Sequence, residues 1–176
     1  MNAAYLKTIG TESEPMKKME EQVKRVVQSM GLSQNGSANN LNTEKEKLIL
    51  LIGTSPLKIV VANMISKELH LNLHRIDLQT TIKKDIGETE KNLSRLFDSA
   101  EESGAILFFD EADALFGKRG NIVDSHCKYE NLNLNYFLRM VEEFAGICIL
   151  SISTDMNIEK SIVGKVHTIE FPFPPI

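Results

Sequence analysis

The chain has 176 residues, of which 42% are hydrophobic and 25% charged, as in an ordinary globular protein that buries one core. Its formal net charge of −4 argues against a general binder of nucleic acids or of anionic membrane surfaces. The sequence contains no apolar run of about 18 residues, so it predicts no transmembrane helix.

Residues 1–46 differ in pattern from the rest of the chain. Methionines and valines recur at helical spacing from Pro15 to Met30, with charged residues between them, which predicts one amphipathic helix. The stretch GLSQNGSANNLNTEK that follows is rich in Gly, Ser and Asn and predicts a flexible linker. We therefore expect a helix and linker over residues 1–46 and a main domain over residues 47–176. The helix packs either on the main domain or on a partner.

Apolar strand patterns and helical patterns alternate from residue 47 onward. The run LILLIG predicts a buried parallel strand, and Lys58 to Leu69 predicts a helix. Further strands are predicted at LNLHRIDL, AILFF, GICILSIS and HTIEF, with helices after the second and third. This alternation predicts an α/β fold, a doubly wound parallel sheet of about five strands with helices on both faces.

Two candidate site segments follow strands of this sheet, at the carboxyl ends where ligands bind in such folds. One is the turn GTSPLKI after LILLI, which is close to the phosphate-binding pattern G-x-x-x-x-G-K-[ST]. The other is FFDEAD, in which Asp110 can hold Mg²⁺ and Glu111 can activate an attacking water. A strand followed by acids is also common without any function.

The segment AILFFDEADALFGKR resembles the Walker B segment of AAA+ ATPases, and DIGETEKNLSRLFDSAE resembles the segment that precedes it there. The stretch from GKRGNIVDSHCKYENLNLNYF to ILSIS is similar to a bacterial AAA subgroup found, among other places, with contractile injection systems. The resemblance covers about Glu44 to Pro174. It implies a P-loop NTPase-like fold with ATP and Mg²⁺ as cofactors. Ser153 stands where the family has a polar sensor, usually Asn.

The resemblance also implies a phosphate-binding loop whose cofactor-binding residues are Gly53, Thr54, Ser55, Lys58 and Ile59. This loop departs from the family pattern at several positions. Pro56 has no N–H group, and Leu57 stands where glycine would allow close approach. If Lys58 is the phosphate lysine, the loop is also one residue short. Ile59 replaces the Ser or Thr that would ligate Mg²⁺. We therefore expect ATP binding with weak or lost hydrolysis; alternatively, Lys58 is a solvated lysine without a ligand.

Other features of the family, which serve assembly and the gripping of a translocated polypeptide, are also altered. Its paired arginines fall near Gly164 and Lys165, and its pore-loop aromatic residue is Asp85 here. The helical lid domain has no counterpart before Ile176. A homo-oligomer is therefore less expected than in the family, whereas a protein partner is expected. Two alternatives to an ATPase remain: a non-catalytic scaffold that acts through protein contacts, and a truncated or split ATPase that needs a partner chain.

The histidines and cysteines predict no further chemistry. No metal-ligand spacing connects the four histidines, His70, His74, His126 and His167. Cys127 and Cys148 form no CxxC pair, and no secretory signal is visible in MNAAYLKTIGTESE, so we expect a cytoplasmic protein. His126 and Cys127 are neighbours without an orienting third group, which argues against a Cys–His nucleophile.

Overall fold

The computed structural model describes residues 14–30, 47–53, 55–81, 86–113, 126–153 and 166–171. Several predictions from the sequence lie outside the described residues. These are the linker, the loop residue Thr54, the pore-loop position Asp85 and the arginine-equivalent positions Gly164 and Lys165.

The described residues form five helices and five strands in an order that alternates after the first helix. The helices are α1 (Glu14–Ser29), α2 (Lys58–Leu69), α3 (Leu78–Thr81), α4 (Ile86–Ser103) and α5 (His126–Glu143). The strands are β1 (Leu48–Ile52), β2 (Leu73–Asp77), β3 (Ile106–Asp110), β4 (Cys148–Ile152) and β5 (Val166–Glu170). Helix α2 has the predicted bounds, whereas β2 is shorter than LNLHRIDL at both ends: it begins at Leu73, and α3 begins at Leu78.

The five strands form one sheet in the order β2-β3-β4-β1-β5, and every neighbouring pair is parallel. Parallel strands need crossover connections, which helices supply. All five residues of β1 and of β4 are buried, as expected for central strands covered on both faces. The predicted α/β fold with a parallel sheet of about five strands is confirmed.

Alternate residues of the strands enter two separate hydrophobic clusters, one on each face of the sheet. On the first face, α4 and α5 cover the sheet. Four phenylalanines pack there with neighbouring ring centroids 4.9 to 6.1 Å apart: Phe97 of α4, Phe109 of β3, Phe137 of α5 and Phe144 just after α5. On the second face, Ile49 and Leu51 of β1 pack with residues of α1 and α2. The prediction of helices on both faces is thus confirmed.

Helix α1 packs on the main domain. Val23, Val27 and Met30 are buried in the second-face cluster. Near the end of the helix, the Ser29 hydroxyl lies 3.2 Å from Nδ1 of His167 in β5. Of the two alternatives for this helix, the structure shows packing on the sheet, and the division between residues 46 and 47 stays a prediction.

Cys148 is buried in the central strand β4, and this burial raises the pKa of its thiol, which keeps it protonated and unreactive.

Among the helices that the structure describes, none is long and apolar enough to cross a membrane.

Candidate functional site

The candidate site lies at one rim of the sheet, where the carboxyl ends of β1, β3 and β4 meet. These three strands are neighbours, so the residues that follow them are brought together. The ammonium group of Lys58 is close enough to three carboxylates to feel their charge, those of Asp110, Glu111 and Asp113. The structure thus joins the two segments that the sequence singled out.

Gly53 is the first residue after β1, and its position requires glycine for two reasons. Its φ of +131° is a conformation that residues with a Cβ rarely adopt. A Cβ built on Gly53 would lie 2.8 Å from the carbonyl oxygen of Phe171, at the end of β5. The Gly53 N–H donates to the carbonyl of Ile152 at 3.0 Å. The packing of the neighbouring strands therefore requires glycine at position 53.

The turn between Gly53 and α2 uses its own hydrogen-bond donors. The N–H of Leu57 donates to the Ser55 hydroxyl at 3.2 Å, and the N–H of Lys58 donates to the Ser55 carbonyl at 3.4 Å. Pro56 has no N–H to offer. A phosphate cradle needs free N–H groups that converge on the ligand. In this conformation, the N–H groups of Leu57 and Lys58 are engaged inside the turn.

Lys58 begins α2 and points toward the end of β4. Its Nζ donates to the carbonyl of Ile152 at 2.9 Å, so it is not the solvated lysine considered as an alternative. Burial of the side chain lowers the pKa of Lys58, and the charges of Asp113, Asp110 and Glu111 oppose that effect in part. The lysine is therefore a half-buried cation beside an acidic group of residues.

The next residue, Ile59, faces away from this cation. Its side chain is partly buried and packs against the second-face cluster. It therefore brings neither a hydroxyl nor any other side-chain oxygen to the rim, and its position in the structure is that of a core residue.

Asp110 ends β3, and its carboxylate is engaged through both oxygens. Oδ2 accepts from Nη2 of Arg75 at 2.6 Å and from Nε of Arg75 at 3.1 Å. Oδ1 accepts from the N–H of Glu111 at 3.1 Å. Arg75 was not identified from the sequence. The available signal was a cationic side chain near the end of the predicted strand LNLHRIDL.

Glu111 has a left-handed backbone, with a φ of +52°, which is uncommon for a residue other than glycine and is found often at functional sites. The residue is exposed. It lines a pocket of about 220 Å³ together with Arg75, Asp77 and Asp110. The strained turn thus places its carboxylate at an open part of the rim.

Asp113 connects the turn after β3 to the end of β4. Its carboxylate accepts from the N–H of Ser153 at 3.1 and 3.0 Å and from the Ser153 hydroxyl at 2.9 Å. The N–H of Ala112 donates to the Ser151 carbonyl at 2.8 Å. These bonds hold Ser153 beside the acids, and they identify Asp113 as a positioning residue that sequence reasoning missed, although the second aspartate of DEAD was a visible signal.

The residues at this rim do not fit a magnesium ion in this arrangement. Mg²⁺ requires oxygen ligands in near-octahedral geometry. Both oxygens of Asp110 are engaged with protein donors, and Ile59 brings no oxygen. Across the described ranges, no group of three or more His, Cys, Asp or Glu side chains is arranged to hold a metal ion.

Comparison with known proteins gives one family and several relatives. The family described as "ATPase family associated with various cellular activities (AAA)" matches residues 49–171, more than half of the chain. Peroxisomal ATPase PEX6 of Dictyostelium discoideum is 37% identical over 83 residues, which are 46% of this chain and 7% of that protein. A Cell division cycle protein 48 homolog of Archaeoglobus fulgidus is 32% identical over 87 residues, 48% of this chain and 12% of that protein.

A smaller relative is the uncharacterized AAA family ATPase y4kL of Sinorhizobium fredii, 40% identical over 58 residues, which are 33% of this chain and 18% of that protein. This chain therefore matches less than a fifth of the length of each of these three relatives.

Proposed function

We propose that this chain, which belongs to the AAA family of ATPases, binds ATP at the rim formed by β1, β3 and β4 and hydrolyses it weakly or not at all. Membership of the family supports an ATPase-type nucleotide-binding function. The weak turnover is our inference from the residues of the site.

One observation carries the inference of weak turnover: the N–H groups of Leu57 and Lys58 and the Lys58 ammonium donate to partners within the protein. Efficient phosphoryl transfer depends almost entirely on positioned backbone donors, a lysine and a metal ion. Here the N–H groups of Leu57 and Lys58 donate to Ser55, and the Lys58 ammonium donates to Ile152. A triphosphate must therefore compete with internal partners for each of these groups.

Roles for the remaining site residues follow from their positions. Lys58 is the cation for the phosphates, because it is half-buried and stands at the start of α2. Glu111 is the base for an attacking water, since its carboxylate is exposed beside the pocket. Ser153 takes the position of the polar sensor, where Asp113 holds its hydroxyl. We assign phosphate binding to Gly53 and Ser55 as well, and to Thr54 on the sequence pattern alone.

The finer identity of the chain is also a proposal. The stretch around DSHCKYEN and NYFLRM supports the bacterial AAA subgroup that occurs, among other places, with contractile injection systems. A cytoplasmic location and a protein partner fit that subgroup. We further propose that residues 1–46 form a separate N-terminal part and that the AAA core begins at residue 47.

Nucleotide binding is tested by thermal unfolding with ATP, and turnover by release of phosphate. We expect ATP to raise the melting temperature, because a ligand at about 100 times its Kd adds roughly 2.7 kcal/mol to the free energy of unfolding. We expect phosphate release to be near background and equal in the wild type, in Glu111→Gln and in the surface variant Glu142→Gln. Rapid phosphate release that Glu111→Gln abolishes and Glu142→Gln retains would contradict weak turnover.

A second candidate function, a non-catalytic scaffold of the same fold, is favoured by the same engaged donors. If Lys58 and the loop N–H groups never leave their internal partners, the rim binds no nucleotide and the domain acts through protein contacts. Absence of any thermal shift at millimolar ATP, with and without Mg²⁺, would select this candidate over the first.

A further inference from the structure

We propose that Arg75 takes the place of the divalent metal at Asp110, so that this site binds its nucleotide without a metal ion. The inference rests on the proposed function, because it concerns how the same site compensates charge. Asp110 is the metal ligand expected from the sequence, but the guanidinium of Arg75 already neutralises its carboxylate.

The contact between Arg75 and Asp110 has the form of a strong, directed ion pair. Two N–H groups of one guanidinium, on Nη2 and Nε, reach the same oxygen of Asp110 at 2.6 and 3.1 Å. Hydrogen bonds between ionised partners are shorter and roughly twice as strong as neutral ones. The Asp110 side chain is 20% exposed and that of Arg75 48%, so water screens the arginine end of the pair more than the carboxylate end.

The sheet holds the arginine in this position. β2 pairs with β3 in a fixed parallel register, in which Asp77 lies opposite Asp110 and Arg75 lies opposite Phe108. Arg75 is therefore two residues back from the rim, a distance of about 7 Å along a strand, which an arginine side chain spans. The guanidinium reaches Asp110 from a rigid strand, whereas a metal ion would need ligands that are free to converge.

Two protein cations already act on the acids of the rim and neutralise part of their charge. Lys58 acts on Asp110, Glu111 and Asp113 from the side of β4, and Arg75 binds Asp110 from the side of β2. A divalent ion at Asp110 would have to displace the guanidinium and would then stand near the Lys58 ammonium. Repulsion between these positive charges opposes metal binding in addition to the loss of the ion pair.

Arg75 is also suited to the ligand itself. Within the described part of the chain, its bonds to Asp110 use two of the five N–H donors of a guanidinium. The side chain is 48% exposed and lines the pocket of about 220 Å³ at the rim. A planar guanidinium binds phosphate oxygens through paired hydrogen bonds, which a single ammonium does not reproduce.

The experiment uses Mn²⁺ alone as the probe, with free Mn²⁺ measured by electron paramagnetic resonance in the absence of nucleotide. We compare the wild type with Arg75→Met, which replaces the guanidinium side chain by an uncharged, apolar one. The matched control is Arg25→Met, because Arg25 also pairs with a carboxylate, that of Glu21, but lies on α1. Asp110→Asn is made in the wild type and in the Arg75→Met background.

We expect Arg75→Met to bind one Mn²⁺ roughly tenfold more tightly than the wild type, since a competing charged pair has been removed. Arg25→Met should bind as the wild type does. Asp110→Asn should abolish the gain in the Arg75→Met background and change nothing in the wild type. Wild-type protein that binds Mn²⁺ as tightly as Arg75→Met, or loses Mn²⁺ binding on Asp110→Asn, would overturn the proposal.

If Arg75→Met does not fold, the comparison of Mn²⁺ binding by the wild type and by Asp110→Asn still tests the proposal. A second arm titrates ATP into the wild type by calorimetry, in EDTA and in Mg²⁺. We expect affinities equal within about twofold, a difference of less than half a kcal/mol. Affinity that requires Mg²⁺ overturns the proposal and leaves the proposed function intact. Absence of ATP binding in both buffers removes the proposed function, while the Mn²⁺ titration still decides the role of Arg75.

Discussion

At the scale of single residues, Gly53 shows how a sequence signal for a ligand can have a second cause. The glycine of a phosphate-binding turn is usually explained by close approach of a ligand. Here the backbone of Phe171, the residue after β5, approaches instead, with its carbonyl oxygen 2.8 Å from a Cβ built on Gly53. Retention of this glycine is therefore required by the fold whether or not the rim binds a nucleotide.

Gly53→Ala should lower the free energy of unfolding by about 2 kcal/mol or more, because alanine is strained at a φ of +131° and its methyl group meets backbone. Gly87→Ala is the matched control, since Gly87 lies in the first turn of α4 with open space around its Cα. Urea denaturation measures both. Equal stability of the two variants would show that the Gly53 turn relaxes without cost.

Lys58 should make stability depend on pH. Burial lowers the pKa of Lys58 in the folded protein below the ordinary 10.5, so between these two values the unfolded chain binds more protons. The free energy of unfolding therefore rises with pH as pH approaches 10.5, relative to a protein without this lysine.

Urea denaturation at about pH 7.5 and about pH 10 checks this prediction by comparing the wild type with Lys58→Met. The rise with pH should be smaller in Lys58→Met. It should persist in Lys67→Met, an exposed lysine change on the same helix that leaves Lys58 intact. The same rise in Lys58→Met as in the wild type would show that Lys58 does not contribute.

The acids of the site were predictable from the sequence, whereas their partners were not. Asp110 and Glu111 follow an apolar strand directly, which is a local pattern. Arg75 is separated from Asp110 by 35 residues, and Asp113 from Ser153 by 40. Such pairs depend on strand order and register, which local periodicity does not determine.

At the scale of elements, α1 illustrates what an amphipathic pattern does and does not predict. The spacing of methionines and valines predicted a helix from Pro15 to Met30, and α1 runs Glu14–Ser29. The pattern showed that one face is apolar but not which surface it covers. In the structure that surface is the second face of the sheet, beside α2.

Val23→Ala should lower the free energy of unfolding by roughly 1–3 kcal/mol, because the side chain is 3% exposed in the second-face cluster. Lys24→Ala, at the neighbouring exposed position, should change it by less than about 0.5 kcal/mol. Chemical denaturation compares the two. A Val23→Ala variant as stable as Lys24→Ala would mean that α1 is detached from the domain in solution.

At the scale of the whole molecule, the two hydrophobic clusters share the same central strands. Leu48, Leu50 and Ile52 of β1 enter the first-face cluster, and Ile49 and Leu51 enter the second. Because one strand supplies both clusters, loss of packing on either face removes support from the other. The alternation of elements predicted this architecture, but the order β2-β3-β4-β1-β5 became visible only in three dimensions.

The carbonyl of Ile152 accepts from two donors at once, the Gly53 N–H at 3.0 Å and the Lys58 ammonium at 2.9 Å. A carbonyl oxygen has two lone pairs, so departure of the lysine leaves it still satisfied by the glycine. The hydrogen bond from the Lys58 ammonium to Ile152 can therefore break without leaving the carbonyl unpaired. The Lys58 ammonium can therefore turn to an anion at the rim while the Ile152 carbonyl keeps its hydrogen bond from Gly53. In the absence of an anion, Lys58 occupies its own binding position reversibly.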